Sequence, residues 1–320
     1  MKRRQILLAA AAASLASQAV IAQSDKTLRI LVGVPPGGSL DAIARTLADK
    51  MKDDLKRPVV VENKPGAGTR LAAELLKNAA PDGDTVMIAP IVVPVLAPLV
   101  FSKLNYNPAT DFAPIAHVSN FHFGLIAPSE APYKTFAEFL AWIKANPAKA
   151  NFGMPGAGSL PHFFGLMIGR EARVDIVPVP FQGGGPLLTA VAGNQVASGI
   201  DVLGEALELA RAGKIRILAS SGAQRSKLAP DVPTFRELGF PEIQAQGWYA
   251  MYAPARTPDA AIHAINASVN RALKLPDVLE RIGKLSLEAG GGTPAELLKL
   301  QDMETQRWGP IIKASGFRAD

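Results

Sequence analysis

The 320-residue sequence contains no cysteine, and this absence excludes several classes of protein. Without thiolates there is no disulfide, no cysteine-ligated zinc or iron–sulfur centre and no cysteine nucleophile. A bacterial lipoprotein anchor, which is attached through an N-terminal cysteine, is excluded as well. Aromatic residues make up only 6% of the chain, and no run of five lysines or arginines occurs, so we expect no nucleic-acid partner.

Motifs for nucleotides and metals are missing too. No loop supplies the lysine of a Walker motif. The glycine pairs at Gly66–Gly68 and Gly156–Gly158 are followed by Leu71 and Pro161 where a dinucleotide fingerprint needs its third glycine. The four histidines show no metal-ligand spacing. We therefore expect neither a cofactor nor a metal.

The N-terminus has the features of a signal peptide. Basic residues 2–4 precede an apolar run over Ile6–Ala13, and residues 20–22 place small side chains at a cleavage site. The run is shorter than the ~20 residues that span a bilayer, which disfavours a membrane anchor. We expect export to the periplasm with cleavage after Ala22, by either the Sec or the twin-arginine route. Loss of the three basic residues lowers the net charge from +6 to +3.

The remaining chain alternates short β-branched runs with helical patterns, which is typical of an α/β fold, and its length predicts two domains. Predicted strands are Leu28–Val34, Val59–Val61, Thr85–Ala89, a strand ending near Gly153, Ile176–Phe181 and Ile215–Ser220. Predicted helices cover 40–51, 71–76, 136–143 and 187–191, and the tail from Pro258 is helical with breaks at Pro276 and residues 290–292.

A short pattern occurs twice. Val34–Leu40 and Met154–Leu160 both read apolar–Pro–x–x–Gly–Ser–Leu, and each follows a predicted strand and opens a predicted helix. Helix N-termini attract anions, and glycine allows the backbone N–H groups to approach a ligand. Two such loops in two halves of the chain indicate one anion site between two lobes.

Four side chains beside these loops have more than one interpretation. Ser39 and Ser159 could cap their helices or donate hydrogen bonds to a carboxylate. His162, one turn into the second helix, could face the ligand. Asp41 places negative charge beside the proposed anion site. It could accept hydrogen bonds from loop N–H groups, hold a bridging water, pair with a ligand ammonium, or be a plain first-turn acid that the helix dipole favours.

Longer motifs are distributed over the whole mature chain. They lie at residues 36–41, 61–68, 81–83, 156–162, 179–186, 230–239 and 253–258. In order and spacing they resemble the Bug-type extracytoplasmic solute receptors of tripartite tricarboxylate transporters. The resemblance implies a monomeric, non-enzymatic receptor that closes on a small organic carboxylate and delivers it to the transporter's membrane subunits.

The resemblance also implies an architecture and a set of binding residues. We expect a two-lobed periplasmic binding protein of the type II kind, each lobe a β-sheet flanked by helices, with lobe 1 at 23–122 and 250–320 and lobe 2 at 123–249. The chain should cross between lobes near residues 117–123 and 248–252. The binding residues, carried over by position, are Gly37, Gly38, Ser39, Asp41, Gly66, Ala67, Gly68, Gly156, Ala157, Gly158, Ser159, His162, Phe181, Gly183 and Gly184.

Some positions depart from the family pattern. Phe181 stands where the family usually has a hydroxylated aromatic residue, Gln182 where it often has lysine, and Asp84 where it usually has an aromatic residue. The Ile91–Leu96 stretch is unusually apolar, and residues 121–123 are aromatic at the first crossover. If these last two stretches line the pocket, they favour a ligand with an apolar or aromatic body; the alternative is that they are ordinary core.

Two other functions stay open from the sequence. A ligand-sensing adaptor for a membrane sensor would use the same cleft with another partner. A serine-dependent periplasmic hydrolase would use Ser159 with His162, although no GxSxG elbow surrounds Ser159.

Overall fold

The computed structural model describes residues 26–244 and 246–319. The predicted signal peptide and its cleavage site after Ala22 lie outside the described residues. The strands are β1 (Leu28–Val32), β2 (Val59–Asn63), β3 (Thr85–Pro90), β4 (Phe112–Phe121), β5 (Phe123–Pro128), β6 (Asn151–Met154), β7 (Val177–Pro180), β8 (Ser198–Val202), β9 (Ile215–Ser220), β10 (Gly247–Pro254) and β11 (Leu287–Ala289).

Helices cover both sheets and connect most of the strands. They are α1 (Ser39–Leu55), α2 (Arg70–Lys77), α3 (Ala97–Val100), α4 (Pro108–Asp111), α5 (Phe136–Ala145), α6 (Leu160–Ala172), α7 (Gly184–Ala192), α8 (Leu203–Arg211), α9 (Asp259–Ala272), α10 (Pro276–Lys284) and α11 (Pro294–Ser315). A π-helical turn at Val92–Leu96 precedes α3. None of the helices in the described part of the chain combines the length and the apolar character needed to cross a membrane.

The strands form two mixed sheets. The first has the order β11-β4-β10-β3-β1-β2 and the second β7-β6-β8-β5-β9. Strands β1, β2 and β3 are parallel, as are β6, β7 and β8. Their carboxyl ends therefore share one edge in each sheet, and ligands of open α/β sheets bind at such edges.

The first connection between the sheets is a single residue. Phe121 ends β4 and Phe123 begins β5, so only His122 separates the two sheets. Phe123 pairs with Val202, at the carboxyl end of β8. The chain returns to the first sheet before Gly247, since all of β10 pairs there and the predicted second crossover at residues 248–252 lies inside this strand. The lobe boundaries at 122/123 and 249/250 stay a prediction.

Most of the predicted elements occur within a few residues of their expected bounds, whereas β4, β5, β8, β10 and β11 were not predicted. Strand β10 is buried over its whole length, so it lacks the alternation that marks a half-buried strand. Pro276 is the first residue of α10 and begins a helix there. Thr293 and Glu296 form a reciprocal capping box at the start of α11.

Glycine in the middle of α6 allows the helix to approach its sheet closely. A Cβ added to Gly165 would lie 2.1 Å from Cε2 of Phe152, a buried side chain on β6. Separations under 3 Å require the neighbour to shift, and the Phe152 ring is enclosed by the core. Helix α6 follows the second predicted anion loop, so this contact positions that loop on its sheet.

We expect Gly165→Ala to lower the free energy of unfolding by about 1–3 kcal/mol, because overpacking outweighs the gain in helix propensity. Gly283→Ala in α10 is the matched control, since a Cβ there meets nothing within 4 Å. That change should stabilise by up to about 1 kcal/mol. Urea titration of both variants measures the difference, and equal stabilisation by the two would contradict the close packing of α6.

Candidate ligand-binding site

The loops that follow β1 and β2 are joined to each other at the carboxyl edge of the first sheet. The Asn63 amide nitrogen donates to the carbonyl of Val34 at 3.0 Å and to Asp41 Oδ1 at 2.8 Å. A Cβ on Gly33 would stand 2.7 Å from Cβ of Thr69, so only glycine allows the two loops to approach this closely. The predicted binding loop 37–39 thus lies beside the predicted loop 66–68.

Asp41 stabilises the predicted binding loop 37–39 by hydrogen bonding. It is 3% exposed, and its Oδ2 accepts hydrogen bonds from the Gly37 N–H at 3.0 Å and from Arg45 Nε at 2.9 Å. Burial alone would raise the pKa of this carboxyl, but the hydrogen bonds from Arg45, Asn63 and Gly37 outweigh burial and lower the pKa. Of the interpretations left open by the sequence, the structure supports acceptance of loop N–H groups.

Ser39 joins both sheets. Its Oγ lies 3.0 Å from the Tyr249 hydroxyl and 3.3 Å from Glu205 Oε1, to which it donates. Tyr249 reaches this point because antiparallel β10 begins beside Pro90, where parallel β3 ends. Glu205 belongs to α8 and so to the second sheet. The Ser39 side chain does not cap α1, so the capping interpretation is wrong for this residue.

The second loop is held by its own side chains. The Gly158 N–H donates to His162 Nδ1 at 3.1 Å, and Ser159 Oγ donates to the carbonyl of Gly156 at 2.7 Å. Ser159 therefore does not cap α6 either. Burial lowers the pKa of His162 to about 4, so the ring is neutral at physiological pH with its proton on Nε2.

These bonds leave no serine–histidine pair. Ser159 Oγ donates to the Gly156 carbonyl and His162 Nδ1 accepts the Gly158 N–H. In the described structure no hydrogen bond of the kind that a serine hydrolase needs joins the two side chains. His162 is 2% exposed, and its ring packs edge-on against Phe317 at 4.3 Å between centroids. In this structure His162 positions the loop, and its contact with a ligand stays a prediction.

The predicted binding residues Phe181, Gly183 and Gly184 lie beside the carboxyl end of β7. The Phe181 N–H donates to the carbonyl of Met154 at 2.8 Å, and the half-buried ring packs over Gly153. Gly183 has φ +103°, a conformation that favours glycine, and α7 begins at Gly184. Phe181 therefore contributes to the core of the second sheet as well as to its edge.

Two carboxyl groups next to these loops were missed by the sequence analysis. Asp201 is the penultimate residue of β8 and is 1% exposed; Glu205 lies in the first turn of α8. A Cβ on Gly184 would stand 2.4 Å from both Asp201 Oδ2 and Glu205 Oε2, so the three residues meet at one point. Burial raises the pKa of both carboxyls, and for Asp201 the charge of Glu205 adds to the effect. The sequence offers one indication of Asp201, which is that it is an acidic residue in the otherwise uncharged run 198–203.

The predicted site residues are thus partly brought together. Ser39 and Gly184 meet through Glu205, and loops 37–39 and 66–68 adjoin. Within residues 26–244 and 246–319, no hydrogen bond joins loop 37–39 directly to loop 156–159; Gly158 instead lies against Val100. The ligand-binding role of the predicted residues stays a prediction.

The departures from the family pattern lie at different places in the fold, and Phe181 and Gln182 follow the carboxyl end of β7. Asp84 precedes the amino end of β3 and pairs with Arg57 and Lys26, at the opposite end of the strand from the loops. Ile91, Val93, Val95 and Leu96 are buried in the core. The Phe121 ring centroid lies 4.6 Å from that of Tyr249, whose hydroxyl contacts Ser39 Oγ.

Two cavities lie away from the candidate site. One of about 650 Å³ lies between the ends of α6 and α11, and is lined among others by Arg170, Arg173 and Ile311. The other, about 510 Å³, lies beside residues 290–292. Neither contains a predicted binding residue.

Comparison with known proteins identifies the family. The model of the tripartite tricarboxylate transporter family receptor matches residues 43–317. The chain belongs to this family. The resemblance seen in the sequence motifs is confirmed, and this receptor is a periplasmic solute-binding protein with two α/β lobes and not an enzyme.

Individual relatives cover nearly the whole receptor. Protein BugT of Bordetella pertussis is 30% identical over 92% of this chain and 90% of its own. The structure of MatC from Rhodopseudomonas palustris with bound malate is 33% identical, with a TM-score of 0.82 over 90% of this chain and 99% of MatC. A second R. palustris protein, solved with adipate, is 26% identical with a TM-score of 0.86 over 92% and 98%.

We expect Asp41→Asn to lower the free energy of unfolding by about 1–3 kcal/mol, because the carboxylate loses charge-assisted hydrogen bonds. Asp53→Asn, at an exposed position of the same helix, is the control and should change stability little. Since folding lowers the pKa of Asp41, its contribution is present above the unfolded pKa of about 4 and is lost on further acidification. Thermal unfolding of both variants across pH tests this, and a pH-independent difference would contradict it.

We expect Glu205→Gln to stabilise the ligand-free receptor at neutral pH by about 1 kcal/mol, or roughly 2 °C in Tm. Burial raises the folded pKa, so the folded state binds more protons and stability falls as pH rises above the unfolded pKa. The gain should therefore vanish below about pH 4. Glu208→Gln, an exposed change on the same helix, is the control in the same thermal scans. A destabilised Glu205→Gln protein at neutral pH would contradict this account.

Proposed function

We propose that this receptor captures a small organic carboxylate between lobe 1 (residues 23–122 and 250–320) and lobe 2 (residues 123–249) and delivers it to the membrane subunits of a tripartite tricarboxylate-type transporter. The observation that carries the proposal is the Ser39 hydroxyl, which lies at a helix start on the first sheet and hydrogen-bonds Glu205 on the second. A crevice at this point is bordered by the carboxyl edges of both sheets.

The chemistry of the loops suits an anion. The first N–H groups of α1, α6 and α7 have no partner within their helices, and the helix dipoles add positive potential there. Charge-assisted hydrogen bonds contribute about 1.5–3 kcal/mol each, so four or five of them support micromolar binding after ordering costs are subtracted. The negative charge of Asp41 is offset by the positive charge of Arg45, and its Oδ2 already accepts the Gly37 N–H.

Two relatives support the ligand class. MatC was solved with malate and another R. palustris protein with adipate, both small carboxylates. For this receptor we propose a ligand body that is apolar or aromatic, because the Phe121 ring packs on Tyr249 beside Ser39 and Phe123 adjoins Phe121.

We also propose how the receptor is exported and which membrane protein it serves. Export with cleavage after Ala22 would deliver a monomeric chain beginning at Gln23 to the periplasm. A ligand-sensing adaptor would use the same crevice, and co-purification with transporter membrane subunits or with a membrane sensor distinguishes the two.

The binding function is tested by thermal shift and calorimetry of the mature chain with succinate, malate, adipate, citrate and benzoate. A true ligand at 100 times its Kd should stabilise the receptor by about 2.7 kcal/mol. Ser39→Ala should weaken that binding by about 1–2 kcal/mol. Ser226→Ala, in a turn that follows β9, is the control and should bind as the wild type does. Binding that is unaffected by Ser39→Ala would contradict a ligand site beside the Ser39 hydroxyl.

A further inference from the structure

The paired carboxyls of Asp201 and Glu205 lie at the same crevice as Ser39. Glu205 presents Oε1 to the Ser39 hydroxyl and Oε2 to the point where Gly184 lacks a side chain. Asp201 Oδ2 faces that same point. Two acidic groups therefore converge between the start of α7 and the start of α1, where the proposed function places a ligand.

Asp201 is short of partners for a buried acid. Its Oδ1 accepts the Val202 N–H at 2.9 Å, whereas its buried Oδ2 accepts no hydrogen bond in the described structure. The residue is 1% exposed, so bulk solvent does not reach its side chain. Buried carboxyl oxygens normally have hydrogen-bond partners, and an unpaired one is costly.

No positive side chain compensates this pair. Across residues 26–244 and 246–319, the ion pairs formed by Lys, Arg and His involve neither Asp201 nor Glu205. The groups that face the pair are the Ser39 and Tyr249 hydroxyls and the N-terminus of α7, which supply dipoles and no full charge. The two acids lie beside Ser39 and Gly184, where the proposed function places the ligand.

We propose that Asp201 and Glu205 form a subsite for a protonated amino group of the ligand, so that the receptor prefers an amine-bearing carboxylate to the same acid without the amine. This inference rests on the proposed function: the ligand carboxylate takes the loop N–H groups, and the ammonium takes the two acids. An ammonium offers three donors, which suits one oxygen of each carboxylate and a third neighbour.

The test is calorimetry of the mature chain, near neutral pH, against acids that differ only by an amine. Suitable pairs are succinate with aspartate, glutarate with glutamate, and 3-phenylpropionate with phenylalanine. We expect the amine-bearing member of at least one pair to bind about tenfold more tightly, which equals about 1.4 kcal/mol.

Variants assign the preference to the pair. Glu205→Gln and Asp201→Asn should each reduce the amine preference to less than about threefold, because each variant removes one of the two acids that face the ammonium. Glu208→Gln should retain the full preference. Circular dichroism establishes that each variant is folded, and Glu205→Gln alone decides the question where Asp201→Asn does not fold.

Two results overturn the inference while leaving the proposed function in place. One is wild-type binding of amine-free acids as tightly as their amine-bearing partners. The other is an amine preference that survives in Glu205→Gln. If no acid with or without an amine binds, the proposed function fails, and the inference fails with it.

Discussion

The hydrogen bond from Ser39 to Glu205 is the contact on which the candidate site depends, because it joins a helix start on one sheet to a helix start on the other. Three features of the fold bring Ser39, Glu205 and Tyr249 together. Parallel strands place α1 and α8 at carboxyl edges, the single residue His122 separates the two sheets, and antiparallel β10 brings Tyr249 to the same point. A ligand bound at this contact, as proposed, has the helix starts of both sheets on its two sides.

The two buried aspartates show how strongly environment governs one residue type. Asp41 is 3% exposed and Asp201 1%, yet folding lowers the pKa of the first and raises that of the second. Arg45, Asn63 and the Gly37 N–H surround Asp41, whereas Asp201 has one backbone donor and a second acid as its neighbour. The first aspartate stabilises a loop, and the second has a carboxyl oxygen, Oδ2, that accepts no hydrogen bond in the described structure. Stability alone accounts for the first arrangement and not for the second.

The sequence was sufficient for the local parts of this site. Glycine, proline and serine at the start of α1 and α6 predict both loops, because their conformations follow from residues that are adjacent in the chain. Tyr249 and Glu205 were beyond its reach. Their contacts with Ser39 span 210 and 166 residues, and they depend on strand order and on the connection between the sheets. Asp201 was missed for the same reason, since a single acid in an apolar strand does not reveal what lies opposite it.

Ser39 also couples the two ends of the proposed ligand. A hydroxyl has one proton, and in the ligand-free structure that proton is directed to Glu205 Oε1. A ligand carboxylate that accepts the hydrogen bond of the Ser39 hydroxyl displaces Glu205 as the acceptor. Glu205 then lacks the donor that Ser39 supplied. Tyr249 does not replace this donor, because its one hydroxyl proton is then donated to the Ser39 oxygen. The carboxylate therefore binds at the expense of Glu205 unless the same ligand carries a donor to it. An amine on the ligand supplies that donor, so its two charged groups bind cooperatively through one hydroxyl.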